Sequence, residues 1–305
     1  MTVVGALILN SKKGMEIIAD AKGTYGGRTV DTFEKIYPLL PKIKPTYFVG
    51  FSGSVSNSTK VLKQINKGVL VKQPESKDQL EEVIENSYKT VKRKSFEDGL
   101  LENYGATLDE FKKGMLNPQL TGRITKAAED PRGFGVYGIM GGRLKQEEEF
   151  SLASLSYPGV VNPELQYAVT GSGSDIFDIE TTNYLQKMNT EKRKNIPVDL
   201  GARILLDATV SSWRNIGVGG TGETPGQMFI VQNDDSYELK PEQVTLLFDT
   251  VFAERKGVLD REYVNKVIRD VVETKTEAKD ILKELENKID HETLTKLFFE
   301  RSLHF

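Results

Sequence analysis

The run Val3-Val4-Gly5-Ala6-Leu7-Ile8-Leu9, then Asn10-Ser11-Lys12-Lys13-Gly14, then Met15-Glu16-Ile17-Ile18-Ala19-Asp20, decides how the rest of the chain is read. Seven consecutive apolar residues bounded by turn formers suit a buried strand. The run is far shorter than the roughly 20 apolar residues that cross a bilayer. It has no basic lead and no small-residue cleavage site, so it is not read as a secretory signal. The polar stretch from Asn10 to Gly14 reads as a hairpin loop. Met15 to Asp20 is the returning strand, with Ile17, Ile18 and Ala19 as its apolar content.

Working outward, a glycine-rich stretch from Gly23 to Gly27 is followed by a second expected strand pair, Phe33 to Leu39 and Tyr47 to Ser52. In the latter, Tyr47, Val49 and Phe51 share one face, and Phe48, Gly50 and Ser52 the other. The period then changes. Val55, Val61, Leu62 and Ile65 suggest a helix after Gly53. Ser76-Lys77-Asp78-Gln79 has the form of a capping box, and Leu80, Val83, Ile84, Tyr88 and Val91 recur behind it at helical spacing. Thr107-Leu108-Asp109-Glu110 is a second such box. Residues from about 94 to 132 are polar and irregular and read as an insertion with short helices. Strands are expected again at 133–141, 150–155 and 165–170. Helices follow the Gly171-Ser172-Gly173-Ser174 turn, carrying Ile176, Ile179 and Leu185, and cover roughly 198–213. A last short strand falls at 227–232. From Lys240 the chain is charged and helical, with one apolar stripe of Val264, Val267, Ile268, Val271 and Val272 and another of Ile281, Leu285 and Ile289. This order does not describe a parallel βαβ protein. It describes an α+β fold, a four-layer αββα sandwich of two antiparallel sheets with helices outside. The expected division is a core over 2–239 and a helical C-terminal extension over 240–305.

The small counts restrict the chemistry. Among 305 residues there is no cysteine, and 41 Lys plus Arg stand against 44 Asp plus Glu, giving a net charge of −3. A general nucleic-acid binder would need a basic excess, so no nucleic acid and no membrane are expected as partners. Disulfides, thiolate nucleophiles and cysteine-based zinc sites are excluded. The two histidines, His291 and His304, both lie in the tail, which argues against a Ser-His-Asp triad or a histidine metal centre. Neither a metal nor a cofactor is expected, and a cytoplasmic location follows. Any catalytic base must be a carboxylate, a lysine or an α-amine. Asn57-Ser58-Thr59 matches a glycosylation sequon by chance. Gly217-Val218-Gly219-Gly220-Thr221-Gly222 matches GxGxxG, but it follows a helix and leads to a strand, the reverse of a dinucleotide site.

Five stretches, in order, carry a resemblance: Met1-Thr2-Val3-Val4-Gly5, Ala19 to Gly26 (ADAKGTYG), Glu34-Lys35-Ile36-Tyr37, Gly53-Ser54-Val55, and Tyr167 to Ser174 (YAVTGSGS). Together they resemble the proteasome β-subunit and HslV branch of the N-terminal nucleophile (Ntn) hydrolases, over roughly residues 2–70 and 133–232. The resemblance implies that removal of Met1 exposes Thr2 as the nucleophile, with its own α-amine as base. An unperturbed α-amine titrates near pH 7.7–8.0, which answers the lack of a histidine. Register supports Thr2. Counted from it, the hairpin to Asp20 is two residues longer than the family pattern, and an even insertion keeps every side chain on its face.

By the same resemblance Asp20 is the acid that orients a lysine, and Lys35 is that lysine, whose ammonium lowers the pKa of the amine and hydroxyl. Gly53 supplies an oxyanion N–H, or serves as a strand-to-helix turn. Ser174 bonds the terminal amine, or caps a helix. Thr24 offers its backbone to an extended substrate. Gly23, Phe33, Phe51 and Val55 line a specificity pocket for an apolar side chain. Asn215 and Val218 stand where the family carries Asp and Ser, a departure that bears on protease competence. Three functions are therefore implied: a threonine-type peptidase acting on peptide or protein, a connectase-like peptide ligase working through an acyl-threonine, and a non-catalytic scaffold subunit. Family members form rings, so a homo-oligomer is expected; no partner ATPase is indicated.

Overall fold

The structure is a computed structural model that describes residues 3–20, 23–25, 28–30, 34–39, 47–129, 134–162, 165–213, 226–232, 235–290 and 292–293. The chain divides into two compact units. One comprises Met1–Ser52, Gly138–Ser154 and Asn162–Phe305, the other Gly53–Tyr137 and Leu155–Val161.

β1 (Val3–Leu9) and β2 (Gly14–Ala19) pair antiparallel with Val4 opposite Ala19 and Leu9 opposite Gly14. Gly14 is thus the first residue of the return strand, not the last of the loop. Asn10, Ser11 and Lys12 turn the chain with three successive positive φ angles of 46°, 53° and 67°, a left-handed bend that Asn tolerates better than most residues. β10 (Tyr167–Gly171) adds beside β1, and β11 (Gln227–Gln232) beside β2, with β12 (Asp235–Glu238) outermost, giving the order β10-β1-β2-β11-β12. A second five-stranded sheet has the order β5 (Ile36–Pro38), β6 (Phe48–Gly53), β7 (Val136–Gly142), β8 (Ser151–Ser156) and β9 (Gly159–Asn162). β3 (Gly23–Tyr25) and β4 (Arg28–Val30) form a two-stranded ribbon. The four-residue strands β9 and β12 escape a sequence reading because they are too short to show alternation.

The apolar run of β1 is explained by burial on both faces. Val4, Ala6 and Ile8 join Met15, Ile17 and Ala19 against Ile36, Phe48, Ile139 and Leu152 of the second sheet. Val3, Leu7 and Leu9 point the other way, into a core shared with helices. Those helices are α5 (Ser174–Gln186), α6 (Thr190–Lys194), α7 (Val198–Ser212), α8 (Pro241–Arg255), α9 (Arg261–Val272) and α10 (Ala278–Glu286). Every residue of α7 from Gly201 to Ser212 is buried, as a helix covered on all sides must be. Part of that cover comes from the C-terminal helices. Val264, Val267, Ile268, Val271, Ile281 and Leu285 belong to the same core as β1 and α7, so both stripes of the tail are core contacts. The fold is the expected α+β sandwich of two antiparallel sheets.

In the second unit α1 (Val55–Lys72) and α2 (Lys77–Phe96) form a helical hairpin. Ser76 caps α2 by accepting the Gln79 N–H, but the Gln79 side chain accepts from Glu75 N–H at 2.9 Å rather than from Ser76, so the expected box is displaced by one residue. Thr107 and Glu110 close a complete box at α3 (Leu108–Lys112). Together with α4 (Pro118–Glu129), α3 encloses a small core of Leu101, Ala106 and Ile124, flanked by Phe96 and Phe111 with ring centroids 5.6 Å apart. The insertion therefore has its own apolar centre. The amide of Asn57 donates to Phe134 O at 2.9 Å and accepts from Ser95 Oγ at 3.2 Å, a structural use in keeping with a chance sequon.

One residue is out of place energetically. Glu16 on β2 is fully buried, and neither carboxyl oxygen has a hydrogen-bond partner among the described residues. An ideal Cβ built on Gly201 of α7 would lie 2.5 Å from its Oε2. Burial, and secondarily the charge of Asp199, hold the Glu16 carboxyl well above the usual carboxylate range. In the fold it therefore keeps a proton that the unfolded chain releases near pH 4.3. Stability must then fall as pH rises above that value, by up to about 1.4 kcal/mol per pH unit until the folded group ionises. Glu16→Met removes the group at similar volume. Urea unfolding at pH 7 should show it more stable than the parent by about 2 kcal/mol, with the difference shrinking toward pH 4.

Candidate active site

Asp20 ends the hairpin one residue past β2, and its backbone N–H donates to Val3 O at 3.2 Å. The chain register therefore carries its carboxylate back to the beginning of β1. Its Oδ1 accepts the Val3 N–H at 2.7 Å and the Lys35 ammonium at 2.8 Å. Lys35 Nζ also donates to the backbone carbonyl of Asp20 at 2.6 Å. Lys35 and Asp20 are only 6% and 3% exposed. Buried charges of this kind persist only when paired and hydrogen-bonded, and the 2.8 Å ion pair meets that condition. The structure thus brings together two residues 15 apart in sequence and fastens them to Val3, the residue after Thr2.

Two further groups fix this arrangement and have no sequence signal. Gln227, the first residue of β11, lies opposite Ala19. Its side-chain oxygen accepts the N–H groups of Lys35 and Ile36 at 2.7 and 3.2 Å, holding the backbone that presents the lysine. Ser52 Oγ and Thr170 Oγ1 share a buried hydrogen bond of 2.7 Å, tying the end of β6 to β10. Thr170 pairs with Val4 and Gly171 with Val3, so this tie sits at the same end of the first sheet as Asp20. Both depend on contacts across more than 100 residues, which periodicity cannot reveal.

The other expected residues are placed as follows. Ser174 opens α5, three residues after the partner of Val3. It is not the helix N-cap: that position is Gly173, which makes no side-chain bond. Thr24 lies in β3 opposite Thr29, and Gly23 opposite Val30. Phe51 is 5% exposed. Val55 is the first residue of α1 and half-buried. Gly53, in the second unit, has φ +92°, and a Cβ there would lie 2.0 Å from Gly135 O. Only glycine fits that turn. Thr2, Phe33, Asn215 and Val218 lie outside the described residues, as do His291 and His304 and the GxGxxG stretch. Among the described residues no group of three or more acidic or histidine side chains could hold a metal, and no helix is long and apolar enough to cross a membrane.

No family model matches the chain, and no curated protein matches its sequence. Solved structures do match its fold. The Gly-1 mutant of Anbu from Hyphomicrobium sp. strain MC1 superposes with a TM-score of 0.55 at 13% identity, covering 95% of this chain and 99% of its own. Anbu, the ancestral β-subunit, from Yersinia bercovieri gives 0.53 at 12% identity, covering 94% and 96%. At this identity the likeness is one of fold alone: the sandwich is like that of the two Anbu structures.

Proposed function

We propose that the protein is a threonine-type peptidase whose nucleophile is Thr2 after loss of Met1. The observation that carries this reading is the buried Lys35–Asp20 pair bonded to the Val3 N–H, one residue from Thr2. An ammonium held there disfavours protonation of the Thr2 α-amine and favours the ionised hydroxyl. Thr2 Oγ attacks the substrate carbonyl carbon and passes its proton to the α-amine. The amine then gives that proton to the leaving nitrogen as the peptide bond breaks. Water, deprotonated by the same amine, cleaves the acyl-threonine and restores the hydroxyl. Asp20 holds Lys35 in position. Gly53 as oxyanion donor, Ser174 and Asn215 near the amine, and Gly23, Thr24, Phe33, Phe51 and Val55 as the peptide-binding set enter through the resemblance alone. The fold shared with an ancestral β-subunit supports a homo-oligomer as the working form.

The test is cleavage of peptides bearing an apolar residue before the scissile bond, followed by mass spectrometry with and without an amine acceptor peptide. Free acid products from the parent chain and none from Thr2→Ala are expected. Spliced product with acceptor would replace hydrolysis by ligation. No turnover by Met1-free protein would leave a scaffold.

A further inference from the structure

The second unit contains a cavity of about 840 Å³ that the peptidase reading does not use. It lies among the N-terminal part of α1, the C-terminal half of α2, the ends of the insertion helices and Tyr157. Its volume is in the range of small-molecule sites.

The lining is strongly one-sided in charge. Lys89, Lys92 and Arg93 fall at i, i+3 and i+4 on α2 and so share a helix face; Lys60 of α1 is the fourth cation, and Asp98 is the one carboxylate among the lining residues. Lys89 is paired with Glu85, and Arg93 with Glu97 at 3.5 Å. Lys60 and Lys92 have no carboxylate partner among the described residues. The Lys92 ammonium instead sits 3.8 Å from the centroid of the Tyr157 ring. Tyr157 is 45% exposed and packs edge-on against Phe134 at 6.2 Å. Phe96 and Leu100 extend the apolar wall. In a chain of net charge −3, a concavity with a net cationic lining and an aromatic wall is a local departure that solubility does not require.

We infer that this cavity binds a small phosphate ester, its phosphates on the cluster of Lys60, Lys89, Lys92 and Arg93 and its organic body on Tyr157, Phe134 and Phe96. Phosphate is favoured because several cations on one rim match a multiply charged group, and a guanidinium among them matches its oxygens in pairs. A nucleic-acid strand would need a track along the surface; these cations line a single cavity of small-molecule size. The inference is independent of the peptidase reading.

ATP and inorganic pyrophosphate serve as probes in titration calorimetry of the full chain at low salt. One saturable ATP site is expected, weaker at higher salt, with pyrophosphate bound less tightly because it lacks the body. Lys60→Gln and Lys92→Gln should each weaken ATP about tenfold, whereas Lys67→Gln, an exposed cation of α1 outside the lining, should not. Lys60 is exposed and has no carboxylate partner among the described residues, so its variant keeps the fold and the test remains open if Lys92→Gln does not. Absence of saturable ATP binding, or equal affinity in the Lys60 and Lys67 variants, would overturn the inference.

Discussion

Lys35→Ala is expected to slow acylation of Thr2 by a β-lactone by about 10²- to 10⁴-fold, the range typical of a lost contribution to proton transfer. The lysine's charge is the one buried cation that the described residues place next to Val3. Without it the α-amine keeps its proton at neutral pH more readily and the hydroxyl is harder to ionise. The substitution also leaves the Asp20 carboxylate buried with the Val3 N–H still on Oδ1 but without the ammonium, at a cost of about 3–5 kcal/mol. A folded control is therefore needed. Asp20→Asn combined with Lys35→Met removes both charges, leaves neither uncompensated, and should fold while remaining unlabelled. Labelling of either variant at the parental rate would remove Lys35 from the mechanism.

Asp207→Ala should destabilise the first unit by about 3–5 kcal/mol. Asp207 is 4% exposed and lies on α7, where it pairs with Arg203 at 2.7 Å. Arg255 of α8 donates to both its backbone carbonyl at 2.7 Å and its Oδ1 at 3.3 Å, and Tyr184 of α5 donates to Oδ2. Arg203 continues the network to Glu254 at 2.5 Å. One carboxylate thus joins a core helix to the C-terminal helices; its loss leaves Arg203, itself 5% exposed, with the Glu254 carboxylate and takes the Oδ1 contact from Arg255. Trp213, the single tryptophan of the chain, lies 5.3 Å from Phe248 of α8. Its emission should report the separation of α8 in the same transition as global unfolding. A parental urea midpoint, or an early separate Trp213 transition, would show that the tail does not share the core's cooperativity.

The sandwich was legible because its signals are local: an apolar run between turn residues, a return strand of defined length, and helical stripes such as those of the tail, which are buried. The stripe expected on α5 was misplaced, since Phe177, Thr181 and Leu185 form its buried face while Ile179 is 58% exposed. The pairing of Asp20 with Lys35 was expected from a family pattern; the bond from the Val3 N–H to the same carboxylate oxygen was not. Gln227, Ser52 and Thr170 were not legible, because a lone polar residue at a strand end looks the same whether it meets solvent or a backbone 190 positions away. Glu16 shows the opposite case. It is the one charged residue within β2, yet it is buried under α7, because both faces of that strand are covered. Ser174 reads as an N-cap from Gly-Ser-Asp, but the helix begins one residue earlier than that pattern suggests.

The central claim is that Lys35 and Asp20 serve a nucleophile at Thr2. Intact-mass measurement of the native protein, before and after a β-lactone, tests it most directly. The account predicts a chain lacking Met1 that gains one covalent adduct, located at Thr2 by peptide mapping and absent from Thr2→Ala. A chain that cleaves peptides while retaining Met1, or an adduct on any other residue, would contradict it.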